Sequence, residues 1–201
     1  MFDARLRPLI DPPLNWIGAA MARSGVTANQ ITFASGAVGV AAGLVIAGGN
    51  FGLGLALILA SRILDGLDGA VARATRVTDF GGFLDIVADF FFYVAVPVGF
   101  GFADSANAPF ALLLVASFAL TGVSFLSFAA IAEKRGLQTT AHGKKSFFYS
   151  TGIAEGAETI AAFILMCLFP AFFPAIAVVY AALCILTVVQ RGLAAAELFR
   201  D

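Results

Sequence analysis

The chain has 201 residues, of which 60% are hydrophobic and 12% charged, and its mean hydropathy is +0.94. A soluble core does not require this, so composition excludes an ordinary soluble domain and predicts an all-α integral membrane protein of one domain. The formal net charge is −1 and no nucleic-acid partner is expected. The single histidine, His142, excludes a histidine-cluster metal site, while Cys167 and Cys184 fall in apolar runs without metal-ligand spacing, so aspartates must carry most of the polar chemistry.

Residues 1–25, "MFDARLRPLIDPPLNWIGAAMARSG", are not expected to be a secretion signal. Asp3, Asp11, Pro12 and Pro13 break the apolar run, and no small-residue cleavage pattern precedes the first long greasy segment. The segment reads as an amphipathic helix at the membrane interface, with a plain cytosolic lead-in as the alternative. Leu6, Leu9, Ile10, Leu14, Trp16 and Ile17 would face lipid, and Arg5, Arg7 and Arg23 the headgroups.

Residues 26–201 read as a core of six transmembrane helices, each with the ~17–25 residues a bilayer needs. The first spans 28–47, with Thr27 as N-cap and Gln30 completing a capping box. The others are 52–73, 80–102, 109–132, 150–169, and 171 or 173 to 189 with a possible extension to 199. Connections 48–51, 103–108 and 169–172 contain no Lys or Arg. The twelve basic residues lie at or near the opposite side: Arg5, Arg7, Arg23, Arg62, Arg73, Arg76, Lys134, Arg135, Lys144, Lys145, Arg191 and Arg200. The positive-inside rule makes that side cytoplasmic and puts both termini there, in a multi-pass protein of the inner (cytoplasmic) membrane. Pro97 should kink the third span or free a carbonyl. The glycines of "GAVGVAAG", Gly36 to Gly43, offer small faces for helix packing. Phe90, Phe91, Phe92 and Phe100 face either lipid or a partner subunit.

The chemistry concentrates in "LDGLDGAVARATRVTDFGGFLDIVAD", 64–89. Asp65 and Asp68 are i,i+3 on one helix; Asp85 and Asp89 are i,i+4 on the next. Antiparallel packing brings the pairs together near the cytoplasmic face. Like charges so placed require a cation, and oxygen-only ligands suit Mg²⁺ or Mn²⁺, with room for two ions. Gly66, Gly69, Ala72, Gly81 and Gly82 remove bulk near the acids, and Arg73 can meet a phosphate. The set reads as a diphosphate site. The competing function is a membrane cation or solute transporter, which also uses intramembrane acids.

The same stretch resembles the signature of the CDP-alcohol phosphatidyltransferases. Asp65, Asp68, Gly69, Ala72, Arg73, Gly81, Asp85 and Asp89 fill that signature in order, with seven residues between Arg73 and Gly81 where the family has eight. The resemblance implies transfer of a phosphatidyl group from a CDP-linked lipid, CDP-diacylglycerol, to a small polar or phosphorylated alcohol, with release of CMP. It implies that Asp65, Asp68, Asp85 and Asp89 bind the metal, that Asp85 and Asp89 form the catalytic pair, and that Asp89 is the general base. Gly66 and Gly81 would admit the ligand, Gly69 and Ala72 would accommodate cytidine and ribose, Arg73 would hold the diphosphate, and Asn29 and Thr32 would lie near the nucleotide. It also implies a homodimer formed through membrane helices.

The acceptor is expected near "AEKRGLQTTAHGKKSFFYSTGIAEGAETI", where Lys134, Arg135, His142, Lys144 and Lys145 would suit a phosphorylated alcohol or anchor to anionic headgroups. Glu155 and Glu158, at the start of the fifth span, are candidates to support the metal site, orient Arg73 or bind acceptor hydroxyls; capping or packing is the structural alternative.

Overall fold

A computed structural model describes residues 3–137 and 152–200, with side chains described from Pro8 onward. Among these residues every regular element is helical: α1 (Asp3–Arg23), α2 (Ala28–Ala47), α3 (Phe51–Ala74), α4 (Asp79–Ala103), α5 (Ala108–Lys134), α6 (Gly156–Leu168) and α7 (Phe173–Leu198). Short 3₁₀ turns at Ser105–Asn107 and Pro170–Phe172 lead into α5 and α7.

Local signals account for the first two boundaries of the core. Thr27 caps α2 through the expected box: its hydroxyl accepts from Gln30 N at 3.4 Å, and the Gln30 side chain accepts from Thr27 N at 3.0 Å. Asn50 Oδ1 accepts from Leu53 N at 3.1 Å and starts α3. The intervening reversal uses Gly49 at φ +78°, where a Cβ would be strained.

α2 packs on both α3 and α4, α5 packs on α7 and α4, and α6 bridges α3 and α7. The α2–α4 contact is a backbone-to-backbone approach. A Cβ on Gly43 would run into the Ala95 carbonyl, and one on Gly99 into the Gly43 carbonyl. The Gly36–Gly43 stretch therefore serves packing, with Gly36 against Ala88 and Gly39 against Phe92. α4 continues through Pro97 to Ala103. Proline has no N–H to donate, so one intrahelical bond is absent there.

Among the described residues four helical stretches are long and apolar enough to cross a membrane: Ala28–Ala47, Asp79–Ala103, Ser105–Lys134 and Pro170–Leu198. The protein is thus a multi-pass, all-helical membrane protein. α3 has 24 residues but carries Arg62, Asp65, Asp68 and Arg73. α6 is the main departure from the expected spans: it has 13 residues and begins at Gly156, not near 150. The residues before it are held in a non-helical path. Ile153 N and Ala154 N both donate to Thr187 Oγ1 of α7, at 3.2 and 2.9 Å, and Gly152 N donates to Glu155 Oε1 at 2.7 Å. Those amides are satisfied outside a helix, so the helix starts later.

The core is aromatic. Phe51, Phe100 and Phe173 stack in series, with centroids 5.4 and 4.5 Å apart, and Phe92 meets Phe163 edge-on at 5.5 Å. This corrects the outward placement expected for the phenylalanine run: Phe92 and Phe100 are fully buried, Phe90 lies over Gly122 of α5, and Phe91 faces out. Leu14 is likewise turned inward. It packs with Ile31, Leu67 and Val71, because Gly66 and Gly18 allow α1 to lie against α3. Leu9, Ile10, Trp16 and Ile17 keep the exposed position expected of them, while the side chains of Arg5, Leu6 and Arg7 lie outside the described residues.

Two arginines counted as surface charges are interior. Arg191, 6% exposed, donates from Nη1 to Thr121 O at 3.0 Å and Ser124 Oγ at 3.1 Å across the α5–α7 seam. The Arg62 side chain is 9% exposed and turned toward the aspartates. Both exceptions have the same cause: each guanidinium finds oxygen partners inside the bundle, which offset its desolvation.

Candidate active site

The last turns of α3 and the first turns of α4 form the site. Thr78 caps α4, its hydroxyl accepting from Gly81 N at 3.0 Å. This cap sets the phase of α4 and so fixes which helix faces carry Asp85 and Asp89. The seven-residue spacer contains this turn, and the carboxylates still converge: oxygens of Asp65, Asp68 and Asp85 all lie within 4.8 Å of one another. Asp68 is buried, Asp65 partly buried and Asp85 exposed, so the group runs from the interior to an open mouth.

These residues fit a divalent ion. Three carboxylates at that spacing suit a hard cation with oxygen ligands. Asp68 Oδ2 is buried and has no hydrogen-bond partner, a costly state that a coordinated ion relieves. Asp89 lies one turn deeper than Asp85 and is engaged elsewhere: its Oδ1 accepts from Arg62 Nη1 at 2.6 Å. The structure therefore groups three of the four expected acids and places the fourth on an arginine.

The remaining candidates fall into several groups. Thr32 on α2 donates to Ala28 O at 3.1 Å and stands beside the Asp68 carboxylate. Asn29 neighbours Gly81, where a Cβ would sit 3.3 Å from Asn29 Oδ1. Gly69 and Arg73 share a face, a Cβ on Gly69 coming within 3.2 Å of Arg73 Nη1, and Ala72 is partly buried beside them in sequence. Gly66 has a different environment. A Cβ there would lie 2.7 Å from Leu14 Cδ1, so its missing side chain accommodates α1.

At the other end of the chain's chemistry, Lys134 and Arg135 close α5 and are exposed, with Arg135 5.6 Å over the Phe199 ring. His142, Lys144 and Lys145 lie outside the described residues. Glu155 is the N-cap residue of α6, with Oε1 on Gly152 N. Glu158 lines an apolar groove of about 810 Å³ between α6 and α7, with Leu165, Phe169 and Tyr180.

Sequence reading missed two members of the site. Asn15 of α1 accepts from Arg73 Nε at 3.2 Å and Nη2 at 2.9 Å, so α1 aims the arginine. Nothing local to either residue announces that pairing. Arg62 was counted only as a basic residue near a membrane face, yet its i,i+3 relation to Asp65 places both on one side of α3. That spacing was the available signal.

Comparison with known proteins agrees with the site. The CDP-alcohol phosphatidyltransferase family profile matches residues 25–191. The chain is 44% identical over 192 residues to inner membrane protein YnjF of Escherichia coli K12, covering 95% of this chain and 93% of that protein. It is 33% identical over 197 residues to the archaetidylinositol phosphate synthase of Methanothermobacter thermautotrophicus, covering 94% and 90%. In fold it is similar to the phosphatidylinositol phosphate synthase PgsA1 of Mycobacterium tuberculosis. With CDP-DAG bound, that structure has a TM-score of 0.70 at 22% identity over 89% of this chain and 90% of that one. In complex with manganese and citrate, the values are 0.69 and 22%, over 89% and 86%. With a profile matched across most of its length and its acids gathered as that chemistry requires, the chain belongs to the CDP-alcohol phosphatidyltransferase family, enzymes of phosphatidyl transfer and not transporters.

Proposed function

We propose that the protein moves the phosphatidyl group of CDP-diacylglycerol to the hydroxyl of a small polar or phosphorylated alcohol, releasing CMP. The convergence of Asp65, Asp68 and Asp85 carries this reading, because it makes a receiver for a diphosphate. The CDP-DAG and manganese of the tuberculosis structures support the choice of donor and ion.

Asp65, Asp68 and Asp85 would hold Mg²⁺ or Mn²⁺, with Asp89 contributing to a second ion. Such ions neutralise the diphosphate and withdraw charge from the attacked phosphoryl group. Arg73, held by Asn15, meets the diphosphate from the side of α1. Gly69 and Ala72 leave space for cytidine and ribose, and Asn29, Thr32 and Gly81 flank that space from α2 and the start of α4. Gly66 acts by seating α1. Asp89 accepts the acceptor's hydroxyl proton; since Oδ1 is engaged by Arg62, Oδ2 is the oxygen that serves. The alcohol oxygen then bonds to the lipid-bearing β-phosphorus, the bond to the bridging oxygen breaks, and CMP leaves with that oxygen.

Lys134, Arg135, His142, Lys144 and Lys145 are the residues whose charge would suit a phosphorylated acceptor, with Glu155 positioning the segment that enters α6. The whole chain is one functional domain: residues 1–25 lie at the interface, and 26–201 form a six-helix core in which α3, and α6 together with the non-helical residues leading into it, cross with the four apolar stretches. The site and both termini face the cytoplasm at the inner membrane, and two copies pair through membrane helices.

The test is exchange of labelled CMP into CDP-diacylglycerol by purified protein with Mg²⁺ or Mn²⁺ and each alcohol of a panel, since in this direct displacement CMP returns to the donor only by attack on the phosphatidyl-alcohol product, with product masses read alongside. Neither product nor exchange with any alcohol and either ion refutes the reading.

A further inference from the structure

Arg62 stands beneath the aspartates in a built setting. Its guanidinium lies 4.0 Å from the centroid of the fully buried Phe92 ring. Nη1 donates to Asp89 Oδ1 at 2.6 Å and lies 3.7 Å from Asp65 Oδ2. Nη2 donates to Ser61 Oγ at 3.1 Å. Ser61 is itself fixed: its hydroxyl donates to Ser35 O at 3.0 Å, and the Ser35 hydroxyl returns a bond to Ser61 O at 2.9 Å, tying α2 to α3. Arg62 Nε is buried without a hydrogen-bond partner. An arginine so desolvated is no headgroup anchor, and its charge is directed at one acid of the metal group and at the acid outside it.

We propose that Arg62 is a positioning residue of this centre: a resident cation that grips Asp89 by one oxygen and holds down the affinity of Asp65, Asp68 and Asp85 for their ion. This rests on the reading of those acids as the metal centre. Two consequences have opposite signs. Gripping Asp89 keeps its second oxygen aimed, which aids turnover. The positive charge repels the divalent ion, which weakens binding. An ordinary packing role would give the same sign to both effects, since a loosened site would bind metal less well and react more slowly.

The experiment uses the full chain in detergent micelles with Mn²⁺ alone as the binding probe, free Mn²⁺ being read by electron paramagnetic resonance and turnover by CMP exchange. Arg62→Gln should bind Mn²⁺ at least about tenfold more tightly, the worth of one unit charge removed about 6 Å from a divalent ion even under the full screening of water, while kcat falls. Arg62→Lys keeps the charge without the two-pronged grip; it should hold Mn²⁺ as the wild type does and turn over more slowly than the wild type. Unchanged or weaker Mn²⁺ binding by a folded Arg62→Gln overturns the proposal. If Arg62→Gln does not fold, Arg62→Lys decides: wild-type affinity with lowered kcat supports the role, and lowered affinity or unchanged kcat overturns it. Wild-type protein that takes up no Mn²⁺ refutes the metal reading itself, an outcome distinguished by needing no variant.

Discussion

Replacing Asn15 by alanine tests whether α1 takes part in the reaction. Asn15 contributes one oxygen, which accepts from Arg73 Nε at 3.2 Å and Nη2 at 2.9 Å. Bonds from a charged donor are worth about 1.5–3 kcal/mol, but Arg73 is exposed, and water replaces part of what is lost. A net loss of about 1 kcal/mol follows, and at about 1.4 kcal/mol per factor of ten this is close to fivefold in affinity. Under the proposed function Arg73 meets the diphosphate, so the loss belongs in KM for CDP-diacylglycerol, with kcat changed less than about twofold. The assay is CMP exchange in mixed micelles across a range of donor concentration. Arg73→Ala should raise KM further, and the double variant should be no worse than Arg73→Ala alone, since Asn15 then has nothing to hold. Additive effects of the two substitutions would refute the coupling, as would a kcat loss in Asn15→Ala with unchanged KM.

Asp89→Asn should lower CMP exchange by about 10²-fold or more, the usual worth of a positioned base, while leaving Mn²⁺ binding by the other three acids measurable; loss of both together would make Asp89 an essential ligand. Asp85→Asn should weaken Mn²⁺ binding and exchange in parallel, and retained binding would remove Asp85 from the group. Thr187→Val leaves two amides without their acceptor and should destabilise the protein by about 2 kcal/mol, visible as a lowered thermal midpoint in detergent. Gly43→Val inserts a side chain where a single Cβ already meets the Ala95 carbonyl; overpacking of about 3 kcal/mol should sharply reduce recovery of folded protein, while the same change at Gly52, which has nothing nearby, should be tolerated.

What sequence reading captured follows from the range of the interactions involved. The capping box at Thr27 and Gln30 is complete within one turn, so the start of α2 was readable to the residue. The acid pairs were readable because helix periodicity sets their faces, and a short turn left only one way to bring them together. The start of α6 was not readable, because the partner that holds residues 153 and 154 out of the helix is Thr187, more than thirty positions away. The orientation of Phe92 and Phe100 was hidden for another reason. In a bilayer both the lipid face and the core face of a helix are apolar, so hydrophobic periodicity carries little direction. Arg62 and Arg191 show the converse: charge alone suggested a membrane surface, and the oxygens that draw each inward come from other helices.

The reciprocal bonds of Ser35 and Ser61 join neighbours in the chain, and α2, α3 and α4 together contain every acid of the reaction centre. Synthesis runs from the amino terminus, and units fold as they emerge. The chemical half of the enzyme can therefore be assembled while the later helices are still being made. Under the proposed function the acceptor meets residues that end α5 and precede α6, so variation there acts on an already formed reactor and can change the product without rebuilding the chemistry.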